Sequence, residues 1–188
     1  MNHFEFKQRF DELRTLQATP KAERYSLKLT DIKLGSFLKV DDVMYKVVDT
    51  YKYKYKKEKW VELKLYSLVD ETTKFLEVEV DDEIELTLTE EQLKLRSLNI
   101  SKADLSNIRS EDDADDISYN GKKFIYEDNY PVKFKKKDDA DWQKCYLYEF
   151  EAGNKGRKEY ITIEDWDGEV LVYRSIDLSP SRVEIVSI

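Results

Sequence analysis

The chain has 188 residues, of which 38% are charged, and its formal net charge of -8 opposes broad electrostatic capture of nucleic acid or anionic lipid. Hydrophobic residues make up 40% of the sequence, which is enough for a core. No run approaches the roughly 18 apolar residues that span a bilayer. The single cysteine, Cys145, and single histidine, His3, exclude an internal disulfide, a cysteine metal cluster and most histidine-based nucleophile or zinc sites.

The first ten residues mix acidic, basic and aromatic side chains, and they contain no apolar run of signal-peptide length. We therefore expect a cytoplasmic protein. The sequence also has no glycine-rich phosphate loop. We expect no cofactor, no metal and no catalytic residue.

Apolar residues recur at helical spacing near the N-terminus, at Phe6, Phe10, Leu13 and Leu16. This pattern predicts an amphipathic helix within residues 1–22, ended by Pro20, since proline disfavours helical geometry in the residue before it. We expect the helix to pack on the core. Its alternative role is contact with a partner or a membrane surface.

Residues 27–97 change to short apolar runs with period two, which predicts a first β unit of about five antiparallel strands. Residues 98–116 break the rhythm and end in the acidic run 111–116, so they are interpreted as a linker with one helical turn. A second β unit is predicted in residues 117–188, beginning at the Asn120-Gly121 hairpin turn.

The two β units share landmarks at nearly constant spacing, which predicts a duplication. Trp60 matches Trp142, and Glu85 matches Glu169. The apolar-Glu pair at 78–79 likewise matches the pair at 163–164. The predicted fold is mostly β: two tandem antiparallel meanders, each a small barrel or half-barrel, packed together with the N-terminal helix.

Tyrosine and lysine alternate from Tyr51 to Lys56, so a strand here places tyrosines on one face and lysines on the other. Such a strand could bind nucleic acid. Alternatively, its lysines prevent edge-to-edge aggregation while its tyrosines cover the core. Further lysines occupy the matching place in the second unit, and the candidate partner-binding lysines are Lys52, Lys54, Lys56, Lys133 and Lys135.

Carboxylates are dense between Glu77 and Glu85, where they could serve in acid/base catalysis or bind calcium. Glu77 and Glu79 alternate with apolar residues, which favours a solvated sheet face. Trp166, which lies between carboxylates at a turn, is a further candidate anchor for a partner.

The strands 60–65 and 75–86 resemble the bacterial domain-of-unknown-function family 4178, with Leu63 in place of the family's tyrosine. The Leu34-Gly35 step and Tyr45-Lys46-Val47 follow the same pattern. The resemblance covers residues 34–88 well and 117–173 loosely, which suggests two tandem copies. It implies no assigned reaction and no catalytic residue. It also implies an accessory protein of the kind found beside membrane-remodelling proteins of the phage-shock type, ion channels and polyamine-related enzymes.

The sequence therefore predicts a non-enzymatic accessory protein that binds another protein through charged faces or strand edges and is linked to membrane-stress or membrane-remodelling systems. The alternatives are a carboxylate-based enzyme and a nucleic-acid-binding module. A concave pocket that gathers Glu79 or Glu164 with a tyrosine and a lysine would favour the enzyme. A continuous surface formed by the candidate lysines would favour nucleic acid.

Overall fold

The protein is mostly β in a computed structural model that describes residues 28–188 except 82, 137–138 and 154–156. The helix predicted within residues 1–22 lies outside these described residues. The strands are β1 (Phe37–Val40), β2 (Val43–Tyr55), β3 (Glu58–Ser67), β4 (Thr73–Val80), β5 (Ile84–Leu93), β6 (Ile117–Tyr119), β7 (Lys122–Lys136), β8 (Gln143–Ala152), β9 (Glu159–Asp165), β10 (Val170–Asp177) and β11 (Val183–Ser187). One α-helix, α1 (Lys102–Glu111), and short 3-10 turns at Leu29–Asp31, Leu95–Leu98 and Pro180–Arg182 complete this part of the chain. None of the described helices combines the length and apolar character needed to cross a membrane.

Eight of the strands form a closed ring of hydrogen-bonded neighbours in the order β2-β3-β4-β5-β10-β9-β8-β7, and β7 pairs back to β2. All of these pairings are antiparallel, as the sequence predicts. The closing contact aligns Tyr51 with Lys136 and Lys54 with Lys133. We call this contact between β2 and β7 the seam.

Along the sheet, β1 to β5 follow one another in chain order and are succeeded by β10 to β6 in reverse order, so the order of the second half mirrors that of the first. Both β2 and β7 are long strands that follow a tight hairpin and contain a bulge, between Val47 and Asp49 in β2 and between Tyr126 and Asp128 in β7. In each bulge the aspartate accepts a hydrogen bond from the next backbone N–H, at 3.0 Å for Asp49 and 2.7 Å for Asp128.

Two features differ from the sequence expectations. The strands of both halves enter one eleven-stranded sheet, rather than two separate sheets. The predicted equivalence of the tryptophans is wrong, because Trp60 lies within β3 and is buried, whereas Trp142 precedes β8 and is 44% exposed. In the first half, Trp60 of β3 lies opposite Tyr53 of β2. At the corresponding place in the second half, Cys145 of β8 lies opposite Val132 of β7. The duplication itself stays a prediction.

The apolar core lies on the outside of the ring, where two covering layers bury the wall. β1 and β11 cover the outer face of β3, β4 and β5 with residues such as Leu38 and Ile185, which pack against Leu63, Leu76 and neighbouring side chains. α1 and β6 cover the outer face of β8 and β9 in the same way. Since side chains alternate along a strand, the residues between these apolar positions point into the ring.

Helix α1 lies in the acidic stretch that was predicted to be a linker, and it is folded against the sheet. Leu105 and Ile108 are buried in the second outer core. The helix begins with a capping box in which the Ser101 N–H donates to Asp104 at 2.7 Å and the Asp104 N–H donates to Ser101 Oγ at 3.3 Å. Arg109 donates to the Tyr148 hydroxyl at 2.9 Å.

Candidate functional site

The interior of the ring is a partly open cavity of about 370 Å³ that is lined mainly by polar residues. Nine glutamates line it, five near one end and four deeper. No lysine, arginine or histidine is among the described lining residues. We call this cavity the acidic interior.

The mouth of the acidic interior carries the five outer glutamates. Strand ends meet at this end of the ring because neighbouring strands are antiparallel. Glu58 begins β3, Glu79 stands next to the end of β4, and Glu85 is the second residue of β5. Glu151 stands next to the end of β8, and Glu127 lies at the β7 bulge. Glu58, Glu85 and Glu127 are exposed.

The opposite end of the ring carries a chain of neighbouring aromatic rings, which we call the aromatic floor. Ring centroids are 4.8 Å apart for Trp166 and Phe134, 5.3 Å for Phe134 and Tyr51, 6.4 Å for Tyr51 and Phe75, and 5.6 Å for Phe75 and Tyr173. These residues lie toward the strand ends remote from the mouth. The two ends of the ring therefore differ, with carboxylates at the mouth and aromatic side chains at the other end.

Tyr53 lies between two of the deeper carboxylates. Its hydroxyl oxygen is 3.5 Å from Glu62 Oε1 and 3.4 Å from Glu164 Oε1. One hydroxyl has a single proton to donate, so the second contact is a hydrogen bond only if that carboxyl carries a proton. Trp166 Nε1 donates to the other oxygen of Glu164 at 2.9 Å, which fixes this side chain.

Burial raises the pKa of the deeper glutamates, because enclosing a carboxylate disfavours its charged form. For Glu77, burial and then the neighbouring Glu149, Glu79 and Glu164 raise the pKa to about 8. The pKa of Glu62 is raised mainly by burial and further by Glu164, and burial also raises the pKa of Glu164. With a pKa of about 8, Glu77 retains at neutral pH a proton that an ordinary glutamate has lost.

The expectation that Glu77 and Glu79 form a solvated sheet face is wrong. Both line the acidic interior, and the exposed part of Glu77 faces the cavity. The alternation was interpreted correctly in one respect, since Leu76 and Val78 do face a core. That core lies outside the ring, which turns the glutamates inward.

The acidic interior meets part of the pattern that would favour an enzyme. It gathers Glu79 and Glu164 with tyrosines, among them Tyr53, Tyr130 and Tyr160. The lysine of that pattern is not among the described lining residues. In the described ranges, histidine, cysteine and carboxylate side chains form no group of three that is arranged to hold a metal ion.

The predicted lysines meet on the outer side of the seam. Lys52 lies opposite Lys135 and Lys54 lies opposite Lys133, while the alternating tyrosines point inward. Lys56 occupies the turn after β2. The interpretation of these lysines as guards of a sheet edge is wrong, because β2 and β7 pair with each other at this point.

Trp166 does not stand out from the surface. It is partly buried, donates to Glu164 and packs edge-on against Phe134. The structure therefore places this candidate anchor in the aromatic floor. Sequence reasoning missed the acidic interior, although the alternation of glutamate with apolar residues in β4 and of threonine or glutamate with isoleucine in β9 was visible.

Comparison with known proteins gives one match. Residues 33–180 match the family model described as a domain of unknown function (DUF4178). No curated protein and no solved structure matches the chain. The match runs through both halves, and the two tandem copies stay a prediction. Because it covers well over half of the sequence, the chain belongs to the DUF4178 family.

Proposed function

We propose that this protein is a non-enzymatic binding protein whose acidic interior takes up an organic cation with two or more ammonium groups. The observation that carries the proposal is the cavity of about 370 Å³, which is lined by nine glutamates and by no described lysine or arginine. Of these glutamates, Glu151 forms an ion pair with Lys158, which is not among the lining residues. A volume of this size suits a small ligand.

The electrostatics of the acidic interior favour a cation. Several carboxylates enclosed together repel one another and lose hydration, so they need either protons or a positive ligand. Burial, and then repulsion from Glu149, Glu79 and Glu164, raises the pKa of Glu77 in this way. A bound ammonium group would provide charge-assisted hydrogen bonds to the carboxylates.

The shape of the site favours an extended organic cation. The glutamates come from β3, β4, β5, β7, β8 and β9 and lie at two depths, so they can contact separate ammonium groups. Aromatic side chains in the wall can contact both the carbon chain and the ammonium groups of such a ligand. Tyr53 and Trp60 form a parallel stack with centroids 5.3 Å apart, and Tyr130 lies close by.

Spermidine is the probe for this proposal. We expect it to bind the full chain at pH 8 with one-to-one stoichiometry in calorimetry and to raise the melting temperature, because a ligand of the folded state stabilises it. The double substitution E77Q/E149Q removes two of the deeper carboxylates while keeping their shape. It should weaken binding by about tenfold or more.

The matched control is E111Q/E169Q, which makes the same two Glu→Gln changes at exposed positions away from the mouth. This control should bind spermidine like the parent. The proposal would be wrong if both double variants lost affinity for spermidine equally. It would also be wrong if magnesium chloride raised the melting temperature as much as spermidine does, because general charge screening would then explain the effect.

A carboxylate-based enzyme is the second candidate, favoured by the pKa of Glu77 near 8, which suits a group that exchanges protons at neutral pH. Mass spectrometry of spermidine after incubation distinguishes the two candidates. The binding protein returns the probe unchanged, whereas a modified product that is lost in E77Q would support the enzyme.

The proposal extends to the role expected from the sequence. A cation-binding protein without catalysis can act as an accessory subunit whose ligand influences its contact with another protein. The link to membrane-stress or membrane-remodelling systems, and a cytoplasmic location, stay predictions.

A further inference from the structure

Six lysines gather on the outer side of the seam, and we call this surface the lysine face. Four of them form a direct cross-strand row over β3, β2, β7 and β8, with Lys59 opposite Lys54, Lys54 opposite Lys133, and Lys133 opposite Lys144. Lys52 and Lys135 form a second pair beside the row. Neighbouring strands lie about 4.8 Å apart, so these ammonium groups are close.

On β3 and β8 the lysine face continues a row of outward apolar side chains. Along β3 the outward positions are Lys59, Val61, Leu63 and Leu65, and only the last two reach the core under β1 and β11 as fully buried residues. Along β8, Lys144 is followed outward by Tyr146 and the buried Tyr148 and Phe150. Lysine thus replaces apolar residues where neither covering layer extends.

Packing does not account for this row, because like charges placed directly opposite each other destabilise a sheet. Protection of an edge does not account for Lys54 and Lys133 either, since β2 and β7 are paired on both sides at these two residues. In the described ranges, no carboxylate forms an ion pair with Lys52, Lys54, Lys59, Lys133 or Lys144. We infer that the lysine face is a docking surface for an acidic segment of a protein partner.

Three observations favour a protein over nucleic acid. The tyrosines of β2 point into the ring, so they cannot stack bases beside the lysines. The formal charge of the whole chain is -8, which repels an extended polyanion. Trp142, which is 44% exposed, lies in the loop between β7 and β8 at the border of the lysine face, and exposed tryptophans are frequent anchors of protein interfaces.

The chain's own first 27 residues fit this surface poorly as its occupant. They carry four acidic residues (Glu5, Asp11, Glu12 and Glu23) against five basic residues (Lys7, Arg9, Arg14, Lys21 and Arg24). Charge complementarity therefore points to a separate, acidic partner.

The test uses the full chain and a fluorescent glutamate–tyrosine copolymer, with poly-glutamate, duplex DNA and anionic lipid vesicles as comparison probes. The variant K54Q/K133Q/K144Q should weaken copolymer binding by about tenfold or more at low salt. The control K28Q/K33Q/K94Q makes the same charge change at exposed positions elsewhere and should shift affinity less than about twofold. The melting temperature of the first variant should stay unchanged or rise, because repulsion is removed.

Trp142→Ala separates a protein-type ligand from a plain polyanion, since it should weaken the copolymer and leave poly-glutamate binding unchanged. The inference is supported if copolymer binding decreases gradually with salt and is weakened in K54Q/K133Q/K144Q but not in the control K28Q/K33Q/K94Q. It is overturned if both lysine variants lose affinity equally, or if duplex DNA or anionic vesicles bind at least as tightly as the copolymer. These outcomes are independent of cation binding in the acidic interior.

Discussion

Replacing Trp60 by alanine is expected to lower the free energy of unfolding by about 3–5 kcal/mol, the usual cost of removing a buried aromatic side chain. Trp60 is 9% exposed, stacks on Tyr53 with an angle of 5° between the rings, and lines the acidic interior. Its removal deletes this stack and leaves space beside buried carboxylates. Urea denaturation followed by circular dichroism measures the change.

Trp142 provides the matched control. It lies outside the strands and is 44% exposed, so Trp142→Ala should change the free energy of unfolding by less than about 0.5 kcal/mol. Equal losses for the two substitutions would contradict the different environments described for these two side chains.

The stability of the protein is expected to fall as pH rises from 5 to 9. Glu77 has its pKa raised from 4.5 to about 8, and burial raises the pKa of Glu62, Glu79, Glu149 and Glu164 as well. The folded state then binds more protons than the unfolded chain in this interval, so each pH step upward favours unfolding. The stabilisation that these carboxyls contribute is fully present below about pH 4.5. It is lost as the pH rises through the pKa values that they have in the folded state.

Glu77 contributes to this effect by an amount that its pKa allows us to bound. A full shift from 4.5 to about 8 would cost about 5 kcal/mol at high pH, and solvent in the cavity reduces this to on the order of 2 kcal/mol. Urea denaturation of the parent and of Glu77→Gln at pH 5, 7 and 9 measures it. We expect the variant to be the more stable protein at pH 9 and to differ little from the parent at pH 5.

The control for the pH series is Glu83→Gln, which removes an exposed carboxylate beside the mouth. Its stability should follow the parent at every pH. Some carboxyls have a lowered pKa, such as Asp70 with a pKa of about 2. Their contribution to the free energy of unfolding is lost only in stronger acid, so it does not change between pH 5 and 9. A parent protein whose stability is constant or rises between pH 5 and 9 would contradict the enclosed state of the glutamates.

The sequence alone determined that the protein is mostly β and how the two faces of its strands differ. Strict alternation at Tyr51, Lys52, Tyr53 and Lys54 predicted tyrosines on one face and lysines on the other, and this is what the strand does. Period-two patterns are local, and the pleat of a single strand is enough to separate the faces.

Helix α1 could have been predicted more fully. The residues Ser101 and Asp104 form a capping box, and Leu105 and Ile108 are spaced to lie on one face of a helix. The many acidic residues after Ile108 favoured a linker instead, because such a run is difficult to bury. Burial of Leu105 and Ile108 holds this helix on the sheet, together with hydrogen bonds such as the one that the Tyr148 hydroxyl donates to the Leu105 carbonyl at 3.1 Å.

Only the tertiary structure decided which face of the strands is enclosed. The seam joins residues about eighty positions apart in the chain, such as Tyr53 and Phe134, and no local pattern specifies such a pairing. Once the ring closes and its apolar wall is covered from outside by β1, β11, β6 and α1, the polar faces have to point inward. The glutamates that a single strand presents as a solvated face thereby become a pocket, because closure brings six such faces together around one space.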